Sequence, residues 1–312
     1  MSTRWIYLGV AASTTSRGRR VPGVGRAASS GAVVWLLAGV TPPAIGQCSW
    51  SGPSTGPAGP VVAMVAFDPD GPGPALESLV VGGLFATAAG QPAVNVAVWN
   101  GSSWTGLGLG LNGEVKALAV YQGQLMAGGK FTLSGQTPVA YLARWTGSAW
   151  VAFASEQPTG DVLSLAVQGS SLIVAGGFQW VGGLEVDRIA RWNGAAWSGF
   201  GLGADGVVNA VLPEGAAGVY AVGAFEQIGE VGAARAALWT GSAWVAYGSG
   251  MNGDVRVVKP APDGSLVAGG GGVVGHGVSR YRVAVAVVVT RRLAMNACRS
   301  DVRYRTHPPI FR

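Results

Sequence analysis

Four tryptophan pairs recur at steps of 46, 47 and 47 residues, four Gly-x-Phe units keep the same period, and a short apolar run precedes each unit. Together these predict an all-β chain of four-stranded repeats, a β-propeller. One sheet of four short strands cannot bury both of its faces, so a repeat of this length needs neighbours stacked on it. Helical repeats are excluded. The 3.6-residue periodicity is missing, and glycine stands in every segment, at about 1 kcal/mol each in a helix interior.

The elements follow in order along each unit. Residues 61–67, 115–121, 162–167, 208–212 and 255–258, most of them apolar on both faces, read as inner strands. Asn112-Gly113, Asp205-Gly206 and Asn252-Gly253 supply turns ahead of three of them. The second strand ends at Gly83, Gly129, Gly176 and Gly223, two residues before Phe85, Phe131, Phe178 and Phe225. The third ends at Trp99, Trp145, Trp192 and Trp239, and the fourth begins at Trp104, Trp150, Trp197 and Trp244. Each pair encloses Asn or Thr, then Gly, then two residues drawn from Ser and Ala, a tight hairpin turn in which Gly takes positive φ. Ala97, Ala143, Ala190 and Ala237 stand two residues before the first Trp and share its face. A small residue beside a large one lets facing sheets interlock, so these tryptophans and phenylalanines read as structural packing residues.

Closure is read from spacing. From the second Trp to the next inner strand the step is 11, 12, 11 and 11 residues, and Trp50 to Val61 is also 11. Residues 49–54 therefore read as an outermost strand whose partners are 255–258, 265–269 and 282–289. That gives five blades, about 61–107, 115–154, 162–201, 208–248, and 255–289 with 49–54, in a propeller spanning 47–290. Val283, Val285, Val287 and Val289 give the last partner a strand alternation. This unit nevertheless has Ala286 and Arg291 at the expected Trp positions and Gly272 at the expected Phe. Eight Arg in the last 33 residues, against five in the preceding 233, mark a change of composition. The alternatives are a degenerate last blade with a basic tail, 291–312, expected to be disordered, and a shifted frame or truncation near 273–281 of a larger propeller.

The order apolar run, Gly-Gly, aromatic, Trp resembles the kelch-type propeller repeat. The phrases Ala-Arg-Trp-Thr-Gly-Ser-Ala-Trp (143–150) and Met-Asn-Gly-Asp-Val (251–255) resemble the repeat of secreted bacterial propellers related to the fungal cortical cell-polarity marker family. The resemblance covers about residues 48–275 and implies scaffolding or binding rather than one reaction. Four residues separate the paired aromatics, where kelch units usually have about six.

Composition narrows the function. With 312 residues, 49% apolar and only 12% charged, the chain can bury a large core, and 52 Gly without a Gly-X-Y period exclude collagen. The net charge of +6 divides into +5 for residues 1–46, −6 for 47–279 and +7 for 280–312. The segment expected to fold is acidic, which disfavours nucleic acid as a partner. Arg17, Arg19, Arg20 and Arg26, the apolar run 31–40 and Ala44-Ile45-Gly46 have the order of an export leader, 1–46, cleaved after Gly46. An apolar run of about ten residues is half a membrane span, so no anchor is expected after cleavage. The expected location is secreted, periplasmic or cell-surface. Cys48 and Cys298 could pair there.

His276 and His307, the two histidines, both lie in the anomalous end, so no metal site, cofactor or catalytic residue is assigned. Asp68-Pro69-Asp70-Gly71 reads as a turn rather than a calcium loop. Glu114, Asp161 and Asp254 share one repeat position just before the inner strand, at one mouth of a propeller channel. With Lys116, Asn209 and Arg256 they form a candidate ring for a polar ligand or cation, against a bland role as solubilising charge. Trp180 falls outside the period, with Glu185 and Asp187 in its loop, and is the candidate for stacking on sugar. The function expected is a non-enzymatic extracellular interaction or scaffolding propeller that binds an unknown protein or glycan. The alternatives are a carbohydrate-active enzyme with carboxylates over the channel mouth, and a frameshifted product without function.

Overall fold

The computed structural model describes residues 56–71, 73–74, 76–261 and 266–271, all within the larger of the chain's two compact units. Among the described residues there are strands and no helices. The leader, the segments 49–54 and 282–289 proposed to meet, Cys48, Cys298, both histidines and the basic tail lie outside them.

The first unit comprises β1 (Val61–Phe67), β2 (Ser78–Gly83), β3 (Thr87–Ala88), β4 (Gln91–Pro92), β5 (Val96–Trp99) and β6 (Trp104–Gly106). The second repeats it as β7 (Val115–Tyr121), β8 (Gln124–Gly129), β9 (Leu133–Ser134), β10 (Thr137–Pro138), β11 (Leu142–Trp145) and β12 (Trp150–Ala152). The third is β13 (Val162–Gln168), β14 (Ser171–Gly176), β15 (Trp180–Val181), β16 (Leu184–Glu185), β17 (Ile189–Trp192) and β18 (Trp197–Gly199). The fourth is β19 (Val208–Glu214), β20 (Gly218–Gly223), β21 (Gln227–Ile228), β22 (Val231–Gly232), β23 (Ala236–Trp239) and β24 (Trp244–Ala246), and β25 (Val255–Pro260) with β26 (Leu266–Gly270) begins a fifth.

Each complete unit is a four-stranded antiparallel meander, such as β1-β2-β5-β6, with a separate two-stranded ribbon between its second and third strands. None of these sheets closes on itself. The ribbons β3-β4, β9-β10, β15-β16 and β21-β22 were not expected from the sequence. Their strands are two residues long and two of them include Pro92 and Pro138, which removes a ladder donor and hides the pattern.

The Trp hairpins form because three local preferences agree. Gly101, Gly147, Gly194 and Gly241 take φ near 100°. The preceding residue folds its side chain back over the turn: Asn100 Oδ1 accepts from Ser102 N and Ser103 N at 2.9 Å, and Thr146 Oγ1 accepts from Ala149 N at 3.1 Å. Asn or Thr is therefore the turn-closing residue.

The second-strand glycine is fixed by close approach. A Cβ on Gly83, Gly129, Gly176, Gly223 or Gly270 would overlap the carbonyl oxygen of Pro60, Glu114, Asp161, Val207 or Asp254 respectively. That carbonyl accepts from the residue after the glycine, as in Lys130 N to Glu114 O at 2.9 Å and Gly177 N to Asp161 O at 2.8 Å. Two residues beyond that carbonyl, every inner strand carries a bulge, so that Val62, Lys116, Leu163, Asn209 and Arg256 are skipped in the pairing register. A bulge bends the strand and turns its side chain away from the ladder.

The core lies between successive sheets. One apolar cluster joins Phe67, Val80 and Val96 of the first unit to Val115, Phe131 and Trp150 of the second; others join the second to the third, the third to the fourth and the fourth to the fifth. Inner strands of consecutive units pack side by side. Phe85, Phe131, Phe178 and Phe225 are buried, as are Ala97, Ala143, Ala190 and Ala237. In each Trp pair the rings lie 5.2–5.4 Å apart. The second tryptophan carries the tighter contact: Trp150 and Trp244 are almost fully buried, and their indole N–H groups reach the preceding unit at Leu107 O (3.1 Å) and Phe200 O (2.7 Å).

Polar clasps add to the stack at the far end of the inner strands. Tyr121 donates to Ser170 O of the next unit at 2.8 Å, and burial raises its phenol pKa above the usual range, so it remains a donor. Gln168 likewise donates to Gly218 O at 2.8 Å, while its Oε1 accepts from Arg191, whose guanidinium lies 4.8 Å from the centre of the Phe200 ring. Replacing Tyr121 by Phe should cost about 1 kcal/mol in a urea titration, since it removes the bond to Ser170 O and the one accepted from Gln122 Nε2, but leaves both partners exposed to water.

Candidate functional site

In an antiparallel meander the start of the first strand, the end of the second, the start of the third and the end of the fourth share one end of the sheet. The ribbons and the connections between units lie at this end, and so do the candidate carboxylates. In three units the residue before the Gly at the inner-strand start ties the connection to its ribbon by its side chain. Asn112 Oδ1 accepts from Thr132 N (2.8 Å) and Leu133 N (2.9 Å), and Asp205 Oδ1 accepts from Glu226 N and Gln227 N, both at 3.0 Å. In the third unit Thr159 Oγ1 accepts from Trp180 N at 3.1 Å. These Asn-Gly and Asp-Gly pairs thus do more than turn the chain: they hold the ribbon in place. Asn112→Ala should cost about 1 kcal/mol by chemical denaturation, because the two ribbon amides are near enough to solvent to be rehydrated.

The three repeat-position carboxylates each sit beside a different cation. Glu114 pairs with Lys116, the bulge residue of its own strand, at 2.7 Å. Asp161 pairs with Lys130 of the preceding unit at 3.2 Å, and Asp254 lies 3.7 Å from Arg235 of the preceding unit. Arg235 also pairs with Glu226 and donates to Met251 O at 2.9 Å. Arg256, the bulge residue of β25, is exposed, and Asn209 at the same repeat position donates to Val255 O of the next unit at 2.9 Å. The candidate residues therefore share an end, but their charges are matched pairwise, within or between neighbouring units. Among the described residues no group of three or more His, Cys, Asp or Glu is placed to hold a metal.

Lys130 and Arg235 were missed from the sequence because neither shares a repeat position with the carboxylate it pairs with. Arg235 occupies the position of Asn95, Tyr141 and Arg188, and all four take left-handed φ, at 74°, 63°, 63° and 79°. The common element is a strained backbone position just before the third strand, whose side chain is free to bridge. Asn95 does so by accepting from Phe85 N and donating to Leu111 O. Such a position costs a non-glycine residue about 1–2 kcal/mol, which the bridging hydrogen bonds offset.

The surface ion pairs should contribute little to stability. Lys130 and Asp161 are half exposed, so Asp161→Asn should shift the unfolding free energy by less than about 1 kcal/mol, and the shift should shrink in high salt.

Trp180 lies at the same end, on the third ribbon. It is 42% exposed, whereas none of the eight tryptophans of the repeat is an exposed residue. Glu185 stands directly across the ribbon from it. Asp187, at φ 38°, passes its carbonyl to Ala204 N. The Asp68-Pro69-Asp70-Gly71 segment forms a bend and turn with Gly71 at φ 65°.

No protein-family model matches this sequence, and no curated protein matches it.

Proposed function

We propose that the chain is a non-enzymatic interaction or scaffolding module, a β-propeller of the kelch-like kind, which works outside the cell and binds a protein or a glycan. The observation that carries this reading is the contrast between frame and tip. Glycine, bulge, Phe and Trp recur unit by unit, while the ribbons at one end differ in every unit: Thr-Ala/Gln-Pro, Leu-Ser/Thr-Pro, Trp-Val/Leu-Glu and Gln-Ile/Val-Gly. Variable loops held on a repeated frame suit recognition. The pairing of Glu114, Asp161 and Asp254 with cations favours a fixing role for these carboxylates over proton transfer.

Closure into a ring of five is part of the proposal. Among the described residues the buried indole N–H of Trp104 has no acceptor, where Trp150 and Trp244 use a carbonyl of the preceding unit. A fifth unit docked on the first would stand in that place. The indole N–H of Trp197 also lacks a partner among the described residues, but there the preceding connection is one residue longer and Ala154 O is taken by Gln157.

The test measures binding to arrays of glycans and of extracellular proteins. Saturable binding that is lost when residues 133–138 and 180–185 are exchanged for the 227–232 sequence, with an unchanged melting temperature, is the expected outcome. Reducing-sugar release that stops in Glu114→Gln or Asp161→Asn would overturn the reading in favour of an enzyme. Export predicts a mature chain beginning at Gln47; secreted material whose intact mass still includes Arg26 would contradict it.

A further inference from the structure

We infer that Trp180 and Glu185 form a subsite for a neutral pyranose ring, a step that rests on the module's being an interaction platform and names the ligand class of one ribbon. The third ribbon departs from the other three at two facing positions at once. Thr87 faces Pro92, Leu133 faces Pro138 and Gln227 faces Gly232, while Trp180 faces Glu185. Neither residue is required by the frame, since three other ribbons fold without an aromatic or a carboxylate there.

The indole is presented rather than tolerated. Alternation along β15 turns Val181 fully into the core beneath the ribbon and leaves Trp180 outward. The Trp180 backbone is held on both sides by Thr159, through Trp180 N to Thr159 Oγ1 at 3.1 Å and Thr159 N to Trp180 O at 3.0 Å. Pro158 bridges to Val181 on the same segment. A ring on so fixed a backbone loses little freedom on binding, which is the condition for affinity from a single aromatic platform.

The chemistry beside the ring selects the ligand. Opposed residues of an antiparallel pair place their Cβ atoms about 4.5–5.5 Å apart on one face, so the Glu185 carboxylate flanks the indole. An indole face accepts the C–H face of a pyranose, and a carboxylate at its edge accepts hydroxyl donors in short charge-assisted bonds. Glu156, on the connection lengthened in this unit, lies against Gly182 at the ribbon tip. Two carboxylates at the tip repel uronic acids and sulfated sugars, which leaves neutral sugars.

Isothermal titration with cellohexaose, mannohexaose and chitohexaose as probes tests the subsite on the full chain. Saturable binding of at least one probe is expected, weakened about tenfold or more in Trp180→Ala and largely restored in Trp180→Phe. The melting temperature should hold in both, because the side chain lies outside the core. Glu185→Gln should weaken binding while keeping the stacking. Failure of all three probes to bind at millimolar concentration would overturn the inference, as would binding unaffected by Trp180→Ala. Trp180-dependent binding of hexalysine without sugar binding would also overturn it, assigning the indole to cations instead. Glycan binding that survives Trp180→Ala but disappears on exchange of the 133–138 ribbon would refute this subsite alone, whereas loss of all glycan and protein binding by the parent chain would refute the platform itself.

Discussion

Trp150→Ala should destabilise the protein by about 3–5 kcal/mol, the range for deleting a fully buried large aromatic. The side chain is 1% exposed, packs 5.4 Å from the Trp145 ring and donates to Leu107 O of the preceding unit. Its cluster includes Phe67, Val80 and Val96, so truncation opens a cavity between two sheets rather than within one. Trp150→Phe separates the two contributions. It keeps most of the ring and strands Leu107 O, for a loss of about 1–3 kcal/mol. Urea titrations of the three proteins make the comparison, and an unchanged midpoint in Trp150→Ala would mean that the interface between units is not where stability resides.

Gly176→Ala should be nearly as severe, at about 3 kcal/mol or more, although it adds one methyl group. That methyl would overlap Asp161 O, the carbonyl that also accepts from Gly177 N and precedes the bulge at Leu163. Overlap with backbone cannot be relieved by a rotamer change, so the turn and the start of the inner strand must both shift. Gly232→Ala is the matched control. Nothing lies within 4 Å of its added Cβ, and its effect should stay within about 0.5 kcal/mol. Equal effects at the two positions in thermal unfolding would contradict the close-approach argument.

The parts of the fold legible in the sequence are those that one residue type can mark alone. Gly101 and its repeats announce a positive-φ turn, and the Trp on either side announce the strands it joins. The parts that stayed hidden depend on pairs of residues far apart in the chain. In two of the four pairs the second tryptophan is tied to an acceptor 43 or 44 residues earlier, which its neighbours in the sequence do not reveal. The ribbons escaped because two-residue strands leave no period, and the bulges because a skipped residue such as Lys116 reads as ordinary strand. At the candidate site the carboxylates could be aligned by repeat, but Lys130 and Arg235 come from neighbouring units at unrelated repeat positions. Trp180 was conspicuous by breaking the period; its pairing with Glu185 needed the ribbon register.

The central claim is that the stacked units close into a ring that holds the variable ribbons at one end. Spin labels on cysteines placed at the bulge positions test it most directly by pulsed electron–electron distance measurement. The pair Val62→Cys with Lys116→Cys spans two adjacent units and sets the reference. The pair Val62→Cys with Arg256→Cys spans the first and fifth. A closed ring of five predicts nearly equal distances for the two pairs. An open stack, at about 10 Å per sheet spacing, would place the second pair several times farther apart than the first, and that result would contradict closure.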